Sequence, residues 1–217
     1  MAERIPDPRA LITVVSGMPR SGTSMMMQML EAAGLELLSD DHRVADADNP
    51  NGYFELEATR RLQEDASFLA EAAGRAVKIV APLLRYLPRD CEYRVIFMER
   101  AIEEIMSSQR RMLERRGEDT SSGSGERALG DAFLERIRKI KDWIEDVPNV
   151  QVCYVAYRSV IDSPLEASTR IAKFLGETRA FGSFDAGTSD SQDLLIRMGG
   201  VVDPSLCRHR HDPRDGT

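Results

Sequence analysis

The chain has 217 residues, a length that suits one domain with a buried core and is short for two. Lys and Arg number 29 against 36 Asp and Glu, so the formal net charge is −7, which excludes a general binder of nucleic acid or anionic membranes unless positive charge is concentrated locally. The three cysteines form no C-x-x-C pair, which argues against a disulfide scaffold or structural zinc and indicates a reducing, cytoplasmic compartment. The N-terminal residues predict neither a signal peptide nor a membrane anchor.

Short apolar runs and helical patterns alternate along the chain. Runs rich in β-branched residues predict buried strands at 10–16, 76–82, 92–100 and 149–157. Apolar residues at helical spacing predict helices at 25–34, 54–73, 101–116, 128–146 and 163–176. This alternation favours a parallel sheet covered on both faces. We therefore predict a single α/β domain over 1–217, with three layers in the order α/β/α and a central parallel sheet of four to five strands.

Three segments between these elements are predicted to lack regular structure. The range 35–53 is acidic and rich in turn formers, which is typical of a long surface loop. The range 117–126 combines glycine, serine and acidic residues, which is the composition of a flexible loop. The range 177–217 is rich in Gly, Asp and Ser and is predicted to be an irregular C-terminal segment.

An anion-binding loop is predicted between the first strand and the first helix. The sequence GMPRSGTS, from Gly17 to Ser24, has the G-x-x-x-x-G spacing of a phosphate-binding loop in the right context. In such a loop, backbone N–H groups and the positive end of the helix dipole converge on one anion. Loops that bind nucleoside triphosphates have Lys after the second Gly, where this chain has Thr23, and its cation is Arg20 instead. A plain glycine turn is the alternative, but the combination favours a P-loop-type domain.

The segment PRSGTSMMMQML resembles the 5′-phosphosulfate loop of sulfotransferases that use 3′-phosphoadenosine 5′-phosphosulfate (PAPS). The resemblance is nearest to compact bacterial members and covers nearly the whole chain, including NPNGYFE at 49–55, VKIVAPLLRYLP at 77–88 and a Tyr-Arg-Ser-Val strand end. It implies transfer of a sulfuryl group from PAPS to a hydroxyl or amine of a small-molecule acceptor. It also implies that PAPS is the co-substrate and that no metal is required.

The resemblance implies binding roles for ten residues of this chain. In the family, an Arg at a strand end and a Ser eight residues later bind the 3′-phosphate together, because the planar fork and the hydroxyl lie on the same side of the helix. The 5′-phosphosulfate is expected to contact Arg20, Ser21, Gly22, Thr23 and Ser24. The 3′-phosphate is expected to contact Arg100 and Ser108, with Arg208 and Arg210 of the C-terminal segment as further cations, and the adenine to lie near Tyr157.

The catalytic residues implied by the resemblance are Lys78 and Glu55. Many relatives carry Lys-Thr-His in the second strand, and here Lys78 is retained while Val80 replaces the histidine base. Lys78 is expected to stabilise charge on the departing phosphate, and Glu55 is the leading candidate for the general base. His42 is an alternative base in the same region. The acid Glu99 stands directly before Arg100, and the sequence leaves open whether it engages the Arg100 fork and weakens co-substrate binding.

Two other functions are compatible with the same sequence features. One is an ATP-dependent small-molecule kinase on a P-loop fold, against which the missing loop lysine counts. The other is a non-catalytic relative that binds a nucleotide or a partner. Neither the identity of the acceptor nor the oligomeric state follows from the sequence.

Overall fold

The computed structural model describes residues 11–40, 45, 46, 49, 51–115, 117, 126–176 and 184–206, with the backbone alone at 126–129. Within these residues one sheet has five parallel strands in the order β2-β3-β1-β4-β5, which confirms the predicted α/β sheet. The strands are β1 Leu11–Gly17, β2 Leu37–Leu38, β3 Ala76–Lys78, β4 Glu92–Glu99 and β5 Val150–Ala156. The helices are α1 Thr23–Ala32, α2 Ile102–Arg115, α3 Glu126–Glu145, α4 Tyr157–Asp162, α5 Pro164–Leu175 and α6 Ser189–Gly200.

The central strand β1 is buried on both faces, and its alternating side chains divide the core into two layers. Val15 faces a cluster that includes α1, α5 and α6, with the buried residues Met26, Ile171 and Met198. Val14 faces a second cluster that includes α2 and α3. This produces the predicted three layers. None of the helices within the described ranges is long and apolar enough to cross a membrane.

The register of the sheet brings the ends of three strands together. Gly17 at the end of β1 pairs with Met98 of β4, and Val15 pairs with Lys78 at the end of β3. Because the strands are parallel, the loop after β1, the lysine that ends β3 and the segment after β4 all lie at the carboxyl edge of the sheet. That edge is where open α/β sheets bind their ligands.

The prediction of a helix over 54–73 is wrong. This segment instead forms two short 3-10 turns, Glu57–Arg61 and Ser67–Ala70. Between them, the Asp65 carboxylate accepts a hydrogen bond of 2.9 Å from the backbone N–H of Ser67. Such a local side-chain turn competes with the helical hydrogen-bond ladder and stops it.

Two segments predicted to be irregular contain regular elements. The range 35–53 includes β2, whose two residues pair with β3 and are too few to show a sequence period. The range 177–217 includes α6, which begins after a Thr188 side chain that accepts from the Ser191 N–H at 3.3 Å. The predicted flexible loop at 117–126 lies outside the described residues except at its two ends.

Candidate active site

A cavity of about 690 Å³ opens at the carboxyl edge of the sheet. It is bordered by the loop after β1, the ends of β3 and β4, one side of α2 and the start of α4. Most of the residues that the sequence predicted for binding and catalysis line this single cavity. They are Arg20, Gly22, Thr23, Ser24, Glu55, Lys78, Arg100, Ser108 and Tyr157.

The loop after β1 has a backbone that its glycines permit. Gly17 has φ 148° and Gly22 has φ 98°, both in the region that side chains disfavour. A Cβ at Gly17 would lie 2.5 Å from Ser21 Oγ and 2.7 Å from the Met98 carbonyl oxygen. Arg20, at φ 72°, is a non-glycine residue held in the same region. The chain therefore passes close to β4 before α1 begins at Thr23, with the first N–H groups of the helix free of helical acceptors.

Ser21 is the one described residue of the predicted set that does not line the cavity. Its hydroxyl is buried beside Gly17 and has no hydrogen-bond partner among the described residues. Its backbone N–H donates to the Met18 carbonyl at 3.1 Å, which closes a turn inside the loop. The predicted contact of Ser21 with the 5′-phosphosulfate stays a prediction.

Arg20 connects the loop to helix α2. Its Nε donates to Ser108 Oγ at 3.0 Å, and its carbonyl oxygen accepts from Arg100 Nη1 at 3.0 Å. The two regions that the sequence predicted for the two ends of one nucleotide are thus in direct contact. Two guanidinium groups and a hydroxyl converge on one wall of the cavity.

The Arg100 side chain is buried, at 9% exposed, and three contacts fix its guanidinium group. Besides the Arg20 carbonyl, Nε donates to a Glu104 oxygen at 2.8 Å, and the guanidinium carbon lies 4.0 Å from the centre of the Tyr157 ring. The other Glu104 oxygen accepts from Arg158 at 2.6 Å. Burial raises the pKa of the Glu104 carboxyl, but hydrogen bonds from the two arginines outweigh burial and hold that pKa below its usual value.

Among the described residues, Glu99 does not engage Arg100. The Glu99 carboxylate accepts from Lys141 Nζ of α3 at 2.7 Å. Glu99 is the last residue of β4 and Arg100 follows directly, so their side chains leave the strand in different directions. The acid on Arg100 is Glu104, one helical turn later.

Lys78, the last residue of β3, lines the cavity with its side chain 8% exposed. Nζ donates to the carbonyl oxygen of Tyr53 and to Ser24 Oγ, the latter at 3.3 Å. The Glu55 carboxylate lies 3.8 Å from the same nitrogen. An ammonium group therefore lies directly beside the N-terminus of α1.

Asn49 and Tyr53 contact Ser24 at the end of the loop, in a part of the chain where the sequence predicted Glu55 as the one functional side chain. Asn49 Nδ2 donates to Ser24 Oγ at 3.0 Å, and the Tyr53 hydroxyl donates to the Asp46 carboxylate at 2.8 Å. Phe54 is held at φ 51°, a strained conformation that clusters at functional sites. The Asn-Pro-Asn-Gly turn was a signal for this segment, but its contact with Ser24 arises only in the folded chain.

The cavity lining also includes Glu55 and several apolar side chains. The Glu55 side chain is 28% exposed and its carboxylate lies 3.5 Å from Arg60 as well as near Lys78. Val80 is 40% exposed and lines the same cavity. Further apolar lining comes from Leu56, Leu83 and Met112. A lining of this composition is suited to a ligand with an apolar portion and one reactive polar group.

Arg208, Arg210 and the alternative base His42 lie outside the described residues, so their predicted roles stay predictions. Within the described ranges no group of three or more His, Cys, Asp or Glu side chains is arranged to hold a metal ion. The sequence did not suggest two further contributors, Glu104 and Arg158. Glu104 contacts Arg100, and Arg158 contacts Glu104, so neither is marked by a recognisable binding motif.

Replacing Gly22 with alanine is expected to disrupt the site. The new Cβ would lie 2.6 Å from Cδ2 of the Tyr157 ring, and the φ of 98° adds backbone strain. Together these effects should lower the free energy of unfolding by about 2 kcal/mol or more in denaturant titrations.

Gly34→Ala is the matched control, since Gly34 also has a positive φ, of 89°, but a Cβ added there would have no other atom within 4 Å. This control should lose only about 1 kcal/mol and keep any nucleotide-induced shift in Tm. Equal losses in both variants would show that the contact between Gly22 and Tyr157 is unimportant.

Comparison with known proteins shows structural likeness at low sequence identity. A sulfotransferase domain from the Synechococcus PCC 7002 olefin synthase is 16% identical with a TM-score of 0.48, covering 94% of this chain and 86% of that domain. A sulfotransferase domain from the curacin biosynthetic pathway is 13% identical with a TM-score of 0.46, covering 94% and 89%. A sugar kinase from Janibacter sp. HTCC2649 is 16% identical with a TM-score of 0.37, covering 82% and 100%. No protein-family model and no curated protein sequence matches the chain.

Proposed function

We propose that this protein transfers a sulfuryl group from PAPS to a hydroxyl or amine of a small-molecule acceptor. The observation that carries the proposal is the contact between Arg20 and Ser108, with Arg100 bound to the Arg20 carbonyl. It joins the predicted anion-binding loop to a second cationic group on one wall of the cavity. A nucleotide with anionic groups at both its 5′ and 3′ positions matches this pair of sites.

The residues fit such a nucleotide in distinct ways. The backbone of the loop and the N-terminus of α1, with Arg20, Gly22, Thr23 and Ser24, would hold the 5′-phosphosulfate. Arg100 and Ser108 would hold the 3′-phosphate, and Tyr157 would lie near the adenine. Gly22 supports this fit, because without a side chain it lets the Tyr157 ring lie directly against the loop.

Sulfuryl transfer requires positioning and charge stabilisation more than covalent catalysis. A bond forms between sulfur and the acceptor oxygen or nitrogen, and the bond from sulfur to the 5′-phosphate oxygen breaks. Lys78 would stabilise the electron pair left on that phosphate, since its ammonium lies beside Ser24 at the helix N-terminus. Glu55 would take the acceptor proton, as it lines the cavity within 3.8 Å of Lys78.

The position of Lys78 favours this reaction over phosphoryl transfer from ATP. Ser24 occupies the place in the G-x-x-x-x-G-x-[ST] pattern where triphosphate-binding loops use a hydroxyl to bind Mg²⁺. Here that hydroxyl lies 3.3 Å from an ammonium and accepts a hydrogen bond from Asn49. A divalent cation at the same hydroxyl would be repelled by Lys78.

The acceptor is proposed to be a small molecule with an apolar portion. A cavity of about 690 Å³ falls in the range of small-molecule sites, and its lining around Glu55 includes the apolar side chains of Leu56, Val80 and Leu83. We place the reaction in the cytoplasm, in keeping with the free, buried thiols of Cys91 and Cys153.

Adenosine 3′,5′-bisphosphate is expected to raise the Tm by about 5 °C or more at 100 times its Kd, because a ligand that binds only the folded state stabilises it. Mg-ATP at the same concentration should raise it far less, and a thermal-shift titration measures both. Transfer of radioactive sulfate from labelled PAPS to a panel of alcohols, phenols and amines tests the reaction itself.

Three outcomes separate the candidate functions. Stabilisation by Mg-ATP alone would contradict the proposal and favour the kinase. Stabilisation by the bisphosphate without transfer to any acceptor of the panel would favour the non-catalytic alternative. Stabilisation together with labelled product is the expected result.

A further inference from the structure

Glu104 is an acidic side chain inside a wall that is otherwise built to attract anions. It lies in the first turn of α2 and its side chain is 19% exposed. Its two oxygens are divided between Arg100 Nε, at 2.8 Å, and Arg158, at 2.6 Å. A carboxylate so close to a phosphate site opposes anion binding through space, so its position suggests a compensating role.

We propose that Glu104 is a positioning residue that orients Arg100 for the 3′-phosphate and so makes the site selective for 3′-phosphorylated nucleotides. This inference rests on the proposed function. The inference extends that function, because Glu104 lies outside the predicted set of binding residues. It assigns to Glu104 the discrimination between nucleotides with and without a 3′-phosphate.

The contacts of Arg100 explain how the orientation would work. A guanidinium has five N–H donors in a plane. Nε is occupied by Glu104, Nη1 donates to the Arg20 carbonyl, and one face covers the Tyr157 ring. Nη2 makes no hydrogen bond to any described residue. The Arg100 side chain, 9% exposed, lines the cavity. The remaining donors of the group are therefore left at one end, toward which a phosphate can be directed.

The way in which Glu104 binds matters as much as its charge. A carboxylate that engaged both terminal nitrogens of Arg100 would occupy the place of a phosphate. Glu104 instead takes only Nε and gives its second oxygen to Arg158, which follows Tyr157 in α4. Arg158 thus keeps Glu104 away from the terminal nitrogens. Through these two ion pairs, Glu104 in the first turn of α2 connects Arg100, which follows β4, with Arg158 near the start of α4.

Charge and orientation predict opposite effects for Glu104→Gln. Loss of a nearby negative charge would by itself strengthen the binding of any anionic nucleotide. Loss of orientation would weaken binding only for nucleotides that carry a 3′-phosphate. Glu103→Gln is a matched control, since Glu103 is exposed in the same helical turn and its replacement removes the same charge without affecting a contact to Arg100.

The test is isothermal titration of each protein with adenosine 3′,5′-bisphosphate and with adenosine 5′-monophosphate. Glu104→Gln is expected to weaken the bisphosphate about tenfold, the effect of one misplaced charged hydrogen bond. Its affinity for the monophosphate should change by less than about twofold, as should both affinities of the Glu103→Gln control. Arg158→Gln, which releases Glu104 from the other side, should weaken the bisphosphate in the same direction, and it tests the inference if Glu104→Gln fails to fold.

Each contrary result has its own meaning. Tighter binding of the bisphosphate by Glu104→Gln would overturn the inference and identify Glu104 as a competitor for Arg100. Equal weakening of both nucleotides would also overturn it, because a merely structural role predicts no selectivity. A wild-type protein that binds the monophosphate as well as the bisphosphate, or neither, would instead overturn the proposed function.

Discussion

Replacing Lys78 with methionine is expected to lower kcat for sulfuryl transfer about 100- to 1,000-fold, the usual cost of losing one charge-stabilising donor in a transition state. The affinity for adenosine 3′,5′-bisphosphate should fall less than about tenfold, because Lys78 would act mainly on charge that develops as the bond to the phosphate breaks. The side chain is 8% exposed and its ammonium touches Ser24 at the start of α1. Steady-state kinetics with PAPS, together with nucleotide titration, separate the two effects.

Lys141→Met is the control for this variant. Lys141 also makes an ion pair, with Glu99 at 2.7 Å, but it does not line the cavity. Its kcat should therefore match that of the wild type while the net charge changes by the same amount. Since the Lys78 variant leaves the Tyr53 carbonyl without that donor, its Tm is measured as well, and kinetics are compared below the unfolding range. A kcat within about threefold of the wild type in the Lys78 variant would contradict the proposed role.

Local patterns predicted the central part of the fold well. The apolar run before Gly17, the glycine spacing and the helical pattern after Ser24 are all short-range signals, and the structure has β1, the loop and α1 in those places. The two buried faces of β1 explain why its run is apolar throughout rather than alternating. Arg100 lies between β4 and α2 and Ser108 lies within α2, and both line the cavity at the carboxyl edge of the sheet.

The pairings of charged groups could not be predicted from sequence neighbours. Glu99 is adjacent to Arg100, yet it pairs with Lys141 on a helix 42 residues away. The acid that Arg100 does contact is Glu104, four residues later in the first turn of α2, and the second partner of Glu104, Arg158, is 54 residues away from it. Adjacent residues at a strand end diverge, whereas a helical turn brings i and i+4 together. Which carboxylate contacts Arg100 therefore depends on the tertiary structure.

The contacts around Ser24 were hidden for a similar reason. Ser24, Asn49 and Lys78 are far apart in sequence, yet both Asn49 and Lys78 donate hydrogen bonds to the Ser24 hydroxyl. The chain after Asn49 depends on a positive φ at Gly52 and at Phe54, and only the glycine can be anticipated from residue type. The sequence could therefore suggest Glu55 as a base, but not that it lies beside Lys78.

Glu55→Gln is expected to lower kcat about 100-fold or more with alkyl alcohols as acceptors, since a positioned base contributes about 10²- to 10⁴-fold. The carboxylate lines the cavity between Lys78 and Arg60, at 3.8 Å and 3.5 Å, and glutamine keeps the shape but cannot accept the proton. A phenol that is already ionised at the assay pH has no proton to lose. With such an acceptor the variant should therefore lose much less activity than with an alcohol.

Glu57→Gln is the matched control for the base. Glu57 contacts the same Arg60, at 3.3 Å, but it does not line the cavity. Its kcat should equal that of the wild type with both acceptor types. If Glu55→Gln lost the same factor with the ionised phenol as with the alcohol, Glu55 would be acting on charge or position rather than as a base. If it kept full activity with both, the base would lie elsewhere, and the substitution His42→Gln would be the next to compare. Because the two acceptors share one enzyme and one donor, their ratio is independent of any loss of folded protein.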